Sequence, residues 1–256
     1  MERIILEQIP VKTVYAEGDK LYKVFVPGYN KADILNEALN QARVEECGIN
    51  IPKLQEVKMI DGCWALVMDF IPGENMQVIM DKNPDKEDEL LERFVNIQLN
   101  IQSKRCRLLN RHWDKMNRKI DETDLPATLR YDLHNRVERM PKLSELCHGD
   151  YNPSNVIITP DDEAYVVDWA HVTQGNGEAD AARTFMLFTM AGENVRAKKY
   201  INIYCEKVGK PLSDILRWLP VLATSQSVKH IDSQKAFLNR LAAMDTQELR
   251  EFYEQI

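Results

Sequence analysis

The sequence predicts an α+β protein in two parts, a small antiparallel-sheet lobe followed by a larger helical lobe. Two observations place strands in the first 70 residues. Short apolar runs flank the turn Glu17-Gly18-Asp19, and a second pair of runs closes through Asp61-Gly62, a dipeptide suited to the positive φ angles of a tight hairpin. The third observation is a change of hydrophobic period at Phe70-Ile71-Pro72-Gly73, beyond which the spacing is helical.

Taken in order, Ile4–Leu6 is a short apolar run, and Val11–Ala16 and Leu21–Val26 are the strands of the first hairpin. Lys31–Cys47 follows with Ile34, Leu35, Ala38, Leu39 and Ala42 at helical spacing, and Gly48 supplies the stop. Glu56–Ile60 and Cys63–Phe70 form the second hairpin, so the order is three strands, a helix, two strands. Residues 71–74 read as a hinge between a lobe at 1–70 and a lobe at 75–256. Asn83-Pro84 resembles a helix cap with proline in the first turn. It leads to an apolar face of Leu90, Leu91, Phe94, Ile97 and Ile101. Leu125, Leu129, Leu133 and Val137 form another helical stripe. One β-like island interrupts the helices, with Val156–Thr159 and Ala164–Asp168 flanking Pro160-Asp161-Asp162.

A formal charge of −7 argues against a general nucleic-acid binder. The five cysteines are scattered without a C-x-x-C pair, which indicates reduced thiols and no zinc framework. The first residues do not read as a signal peptide. No stretch reaches the roughly 18 apolar residues that a membrane span requires. The expectation is a cytoplasmic protein with no membrane or nucleic-acid partner.

The chemistry concentrates in His148-Gly149-Asp150-Tyr151-Asn152-Pro153-Ser154-Asn155 and in Val167-Asp168-Trp169. Phosphoryl transfer requires a carboxylate that orients the attacking hydroxyl and accepts its proton, and oxygen ligands for magnesium. Asp150 fits the first role. Asn155 offers an amide oxygen and Asp168 a carboxylate to the metal. The intervening hairpin, going out and back, returns Asp168 beside the loop that holds Asn155. Singly, Asp150 reads as a turn former and Asn155 as a strand-entry cap; it is their joint spacing that points to catalysis.

H-G-D-x-x-x-x-N followed by an apolar run and V-D-W resembles the aminoglycoside phosphotransferase and choline kinase superfamily, relatives of the protein kinases. The segment Asp180-Ala181-Ala182-Arg183-Thr184 continues the resemblance, which covers roughly residues 1–190. It implies a two-lobed protein-kinase-like fold, ATP or GTP as donor, Mg2+ as cofactor, and a small-molecule hydroxyl as acceptor, of the aminoglycoside, sugar or amino alcohol class. It places Lys23 where the nucleotide phosphates are contacted and Glu37 where the ion-pair partner of that lysine stands. Asp69, Phe70 and Ile71 fall in the hinge, whose backbone meets the nucleotide base. His148 would hold the catalytic loop by side-chain hydrogen bonding, Gly149 would permit its backbone shape, and Asp180 would be a buried acceptor for its amides. Asp150, Asp168 and Glu178 would give the acceptor site an acidic character.

The chain departs from this pattern at the turn between its first strands. The expected phosphate-loop glycines fall at Glu7 and Ile9, and Pro10 removes a further amide donor. The alternative function is therefore a catalytically weak or inactive nucleotide-binding module that acts through a partner. Only 11 residues separate Asp168 from Asp180, too few for a protein kinase's activation and peptide-docking loop. A hydrolytic metal site would need a second histidine and carboxylate pair.

Overall fold

The structure is a computed structural model that describes residues 3–256. Its fold is the expected two-lobed, protein-kinase-like α+β class. The chain forms two compact units. One comprises the chain up to Asn83 together with Pro153–His171, and the other Pro84–Asn152 together with Val172–Ile256.

In the first unit, β1 (Ile4–Ile9), β2 (Lys12–Glu17), β3 (Lys20–Phe25), β4 (Leu54–Ile60) and β5 (Cys63–Asp69) make one antiparallel sheet in the order β1-β2-β3-β5-β4. The Gly18 and Gly62 turns have φ of 65° and 81°, the left-handed values that glycine adopts without a Cβ penalty. β1 is longer than expected and runs to Ile9, so the turn before β2 is made by Pro10 and Val11. Helix α1 (Lys31–Glu45) begins where the Asn30 side chain accepts the Ala32 amide at 2.9 Å. Its Ile34 and Ala38 pack with Phe25, Leu66 and Met68 as the core of this unit. Complete burial of Ile34 contributes about 1.5–3 kcal/mol by removing its apolar surface from water.

The hydrophobic period changes at Phe70–Gly73, yet this unit continues to Asn83 and takes in a later segment. The reason is a second, three-stranded antiparallel sheet of β6 (Glu74–Asn75), β8 (Val156–Ile158) and β9 (Ala164–Val166). A two-residue strand leaves no hydrophobic pattern to read. The Asn75 side chain then caps α2 (Met76–Lys82) by accepting the Val78 amide at 3.0 Å.

The second unit is mainly helical. Its principal elements around the loop that carries Asp150 are α3 (Glu87–Gln102), β7 (Glu145–Cys147), β10 (Thr173–Gly175), α6 (Gly177–Met190), α7 (Asn194–Val208) and α9 (Leu219–Ser227), with α4 (His112–Asp121), α5 (Ala127–Arg139), α8 (Leu212–Leu216), α10 (Asp232–Ala243) and α11 (Thr246–Gln255) beside them. The buried face of α3 is Leu91, Phe94, Val95, Gln98, Ile101 and Gln102, rotated from the expected stripe because two glutamines lie inside. Gln98 Oε1 accepts from the Tyr200 hydroxyl at 2.6 Å, and Gln102 Oε1 from the Tyr204 hydroxyl at 2.9 Å. Two i,i+4 pairs on facing helices thus join hydroxyl to amide oxygen in the interior.

Gly73 sits beside β8 so closely that a Cβ there would overlap the Ile158 carbonyl oxygen and stand 2.8 Å from Ile157 Cγ2. The Gly73→Ala variant is expected to lose about 1–3 kcal/mol of stability, the range for overpacking a fixed backbone contact. Urea denaturation checks this; an unchanged midpoint would show that β6 and β8 separate freely.

Candidate active site

Lys23 lies on β3 opposite Leu66 of β5, on the sheet face that packs α1. It is 7 % exposed, and a buried ammonium must be met by carboxylates. Two meet it. Lys23 Nζ donates to Glu37 Oε1 at 2.5 Å and to Asp168 Oδ1 at 3.2 Å. Burial opposes the charge on Lys23, but Asp168 and Glu37 together hold its pKa above the ordinary lysine value. Burial also pushes the Glu37 carboxyl up, with Lys23 opposing that rise.

Asp168 reaches this position through the β8–β9 hairpin. Val156 pairs with Val166, and the Val167 amide then donates to the Asn155 carbonyl at 2.9 Å, which returns Asp168 beside Asn155. Asp168 has φ of 64°, a left-handed conformation in which a non-glycine residue is strained. Its neighbours fix it: the Trp169 indole is fully buried and donates to the Val166 carbonyl at 2.9 Å. Asn40 of α1 donates to the Ala170 carbonyl at 3.4 Å.

Asp168 and Asn155 offer one carboxylate and one amide oxygen. Hard oxygen donors in that small number suit Mg2+, which keeps waters and phosphate oxygens in the rest of its shell. Among the described residues no group of three or more His, Cys, Asp or Glu is arranged to hold a metal ion by itself.

The hinge residues are partly engaged within the sheet lobe. The Asp69 amide donates to the Lys53 carbonyl at 3.0 Å, and the Phe70 amide to the Asp19 carbonyl at 2.9 Å. The Asp69 carboxylate accepts from Gln55 Nε2 at 2.7 Å and from the Lys53 amide at 3.3 Å. Of the three hinge amides, those of Asp69 and Phe70 are therefore committed to the fold.

In the second unit the loop carrying Asp150 hangs on one buried carboxylate. Asp180, on the first turn of α6, accepts the Gly149 amide at 2.7 Å and the His148 amide at 3.1 Å. Burial raises the Asp180 pKa, while His148 and the two amides pull the other way. The Asp150 amide donates to His148 Nδ1 at 3.2 Å, so a neutral His148 ring carries its proton on Nε2. Gly149 has φ of 79°. Beyond the loop, the Tyr151 hydroxyl donates to the Phe94 carbonyl at 2.7 Å, and Thr184 Oγ1 donates to the Tyr151 carbonyl at 2.7 Å. The Asp150 carboxylate is thus presented from a clamped backbone.

The sequence pattern that led here has a counterpart in known proteins. The family model described as "Phosphotransferase enzyme family" matches residues 11–219. The chain belongs to that family. No curated protein sequence matches it. The fold of this phosphotransferase is similar to a thermostable mutant of aminoglycoside phosphotransferase APH(4)-Ia in ternary complex with ADP and hygromycin B. That likeness has a TM-score of 0.71 at 10% identity and covers 97% of this chain and 92% of the other. A choline/ethanolamine kinase family protein from Mesorhizobium loti aligns at TM-score 0.62 and 15% identity, covering 100% of this chain and 86% of that one. A streptomycin-ATP-APH(2")-IIa ternary complex aligns at 0.63 and 12%, covering 97% and 93%. Among the described residues no helix is long and apolar enough to cross a membrane.

Two polar residues of the phosphotransferase were not singled out from sequence. Arg183, 8 % exposed on α6, donates from one terminal nitrogen to Asp150 Oδ1 at 3.2 Å and to Gln226 Oε1 at 3.1 Å. Lys12 on β2 stands 3.6 Å from Asp168 Oδ2 and 3.2 Å from Glu7 Oε2. One expectation is corrected. Glu178 does not give the acceptor site its acidic character, because it is buried at the start of α6 and ion-paired with Lys210.

The Asp180→Asn variant replaces one of two accepting oxygens by an amide donor facing a backbone N–H. An unsatisfied buried donor costs about 1–3 kcal/mol. Thermal melts should show a loss of that size, and amide exchange at His148 and Gly149 should accelerate. Unchanged protection of those two amides would contradict their anchoring by Asp180.

Proposed function

We propose that this phosphotransferase moves the γ-phosphate of ATP or GTP to a hydroxyl of a small molecule. The observation that carries the reading is Lys23 held between Glu37 and Asp168, with Asp168 returned beside Asn155 by the hairpin. Kinase-like chemistry asks for that lysine, that carboxylate and that amide together.

In this reading Lys23 contacts the nucleotide phosphates, with Glu37 fixing its position. Asp168 and Asn155 hold Mg2+, which when bound shields the phosphate charge and favours departure of the diphosphate. Asp150 accepts a hydrogen bond from the acceptor hydroxyl and takes its proton as the oxygen attacks the γ-phosphorus. The new phosphorus–oxygen bond forms as the bond to the β–γ bridging oxygen breaks, and the nucleoside diphosphate leaves with that electron pair. Arg183 acts through Asp150, fixing the rotation of its carboxylate. His148 and Asp180 hold the loop, and the Ile71 amide serves the nucleotide base.

The charge distribution bears on the acceptor. Glu178 is committed to Lys210 and one Asp150 oxygen to Arg183, so these carboxylates form no open anionic bed for a polycation. We take sugars and other weakly charged polyols as the first acceptors to test, beside amino alcohols and aminoglycosides. Hygromycin B and streptomycin appear with the structural neighbours and say nothing further about this chain.

The test is nucleoside-diphosphate release across hydroxylated acceptors, in wild type and Asp150→Asn. Asparagine keeps an oxygen for Arg183 but cannot take the proton, so the fold is retained while turnover falls about 10²–10⁴-fold. A chain that binds nucleotide yet transfers phosphate to none of the acceptors would instead be the binding module that the glycine-free turn also allows.

A further inference from the structure

The β1–β2 turn is where a kinase-like lobe ordinarily lends bare backbone amides to phosphate oxygens. Here it is Ile9-Pro10-Val11-Lys12, without a glycine and with one amide missing at Pro10. Something other than this backbone has to meet phosphate if the lobe binds a nucleotide.

The register supplies a candidate. Lys12 pairs with Phe25 and Val14 with Lys23 across the β2–β3 hairpin. Directly opposed residues share a face, and so do residues two apart on one strand. Lys12 and Lys23 therefore lie on the same face of the sheet, the face covered by α1. Their ammonium groups converge on a single carboxylate, Lys23 on Asp168 Oδ1 at 3.2 Å and Lys12 on Asp168 Oδ2 at 3.6 Å. Two lysines thus share the Asp168 carboxylate, and each has a second carboxylate beside it. That carboxylate is Glu37 for Lys23, and for Lys12 it is Glu7, at 3.2 Å with its side chain 46 % exposed. A solvent-facing ion pair of that kind is weak beside the bond between an ammonium and a phosphate oxygen.

We propose that Lys12 is a second phosphate-binding residue, a side-chain cation that replaces the amides of a glycine loop for the β- and γ-phosphates of a nucleoside triphosphate. Asp168 and Glu7 hold Lys12 at the site before the triphosphate arrives. When Asp168 turns to a metal, the phosphate oxygens take its place as the partner of both lysines. Glu7 is thereby a competitor for Lys12 more than a repeller of phosphate, because its charge is already answered. This inference rests on the nucleotide-dependent reading above.

The experiment is calorimetric titration of wild type, Lys12→Met, Lys12→Arg and Glu7→Gln with adenosine, ADP and ATP, and with the guanosine series, in the presence of magnesium. Lys12→Met should weaken triphosphate binding about tenfold, which corresponds to about 1.4 kcal/mol. The nucleoside should bind as before, and the diphosphate should fall between them. Lys12→Arg should keep most of the affinity, since it keeps the cation. Glu7→Gln, at an exposed position, should tighten the triphosphate several-fold with Lys12 intact, and so gives a result of opposite sign in a chain whose folding is not at issue. Equal triphosphate affinity in wild type and Lys12→Met overturns the role of Lys12 and leaves the phosphotransferase reading standing. A nucleoside that weakens as much as the triphosphate overturns it too, as a general loss of the lobe. A wild type that binds no triphosphate of either series overturns both.

Discussion

An ammonium group removed from water has to be met by carboxylates, and much of the first unit is arranged around meeting that of Lys23. The requirement fixes which face of β3 looks toward α1, because Lys23, Phe25 and the opposing Leu66 share it. It also fixes the rotation of α1, since Glu37 must point at the lysine while Ile34 and Ala38 enter the core. And it recruits a segment from 145 residues along the chain, because the second carboxylate, Asp168, arrives on a hairpin that pairs with a two-residue strand at Glu74–Asn75. The strained φ of Asp168 is held by that packing.

The second unit solves a related problem with a different device. The loop that presents the Asp150 carboxylate has no strand ladder to hold its backbone. Asp180 holds it instead, taking two consecutive backbone amides on one buried side chain. Tyr151 and Thr184 then tie the next residue to α3 and α6. Arg183, one helical turn beyond Asp180, uses the same helix face to reach the Asp150 carboxylate itself. Backbone clamp and side-chain orienter thus come from a single turn of α6.

The antiparallel sheet, its helix and the loop from His148 to Asn155 were legible in the sequence because each is local. Turn residues at Gly18 and Gly62 set the hairpins, helical spacing set α1, and the eight-residue loop carries its residues in fixed order. What escaped depends on pairing between distant segments. Glu74–Asn75 is too short for a hydrophobic pattern, and its partner β8 lies far along the chain. Gln98 and Gln102 read as surface residues until Tyr200 and Tyr204 supply their hydroxyls from a facing helix. Lys12 carried a readable signal, since counting back along the strands from the Glu17–Lys20 turn sets it on the Lys23 face. Arg183 was likewise visible at i+3 from Asp180, and only the folded loop shows that its partner is Asp150.

The central claim is that a phosphoryl group passes from nucleotide to a carbon-bound hydroxyl, with Asp150 receiving the proton. The most direct test follows the phosphorus itself. The chain is incubated with magnesium, γ-labelled nucleotide and weakly charged polyols, and the label is traced by 31P NMR and mass spectrometry. The account predicts a phosphate monoester on one acceptor hydroxyl, formed in equal amount with the nucleoside diphosphate. Label recovered only as inorganic phosphate, or only in unreacted triphosphate across the acceptors tried, would contradict it.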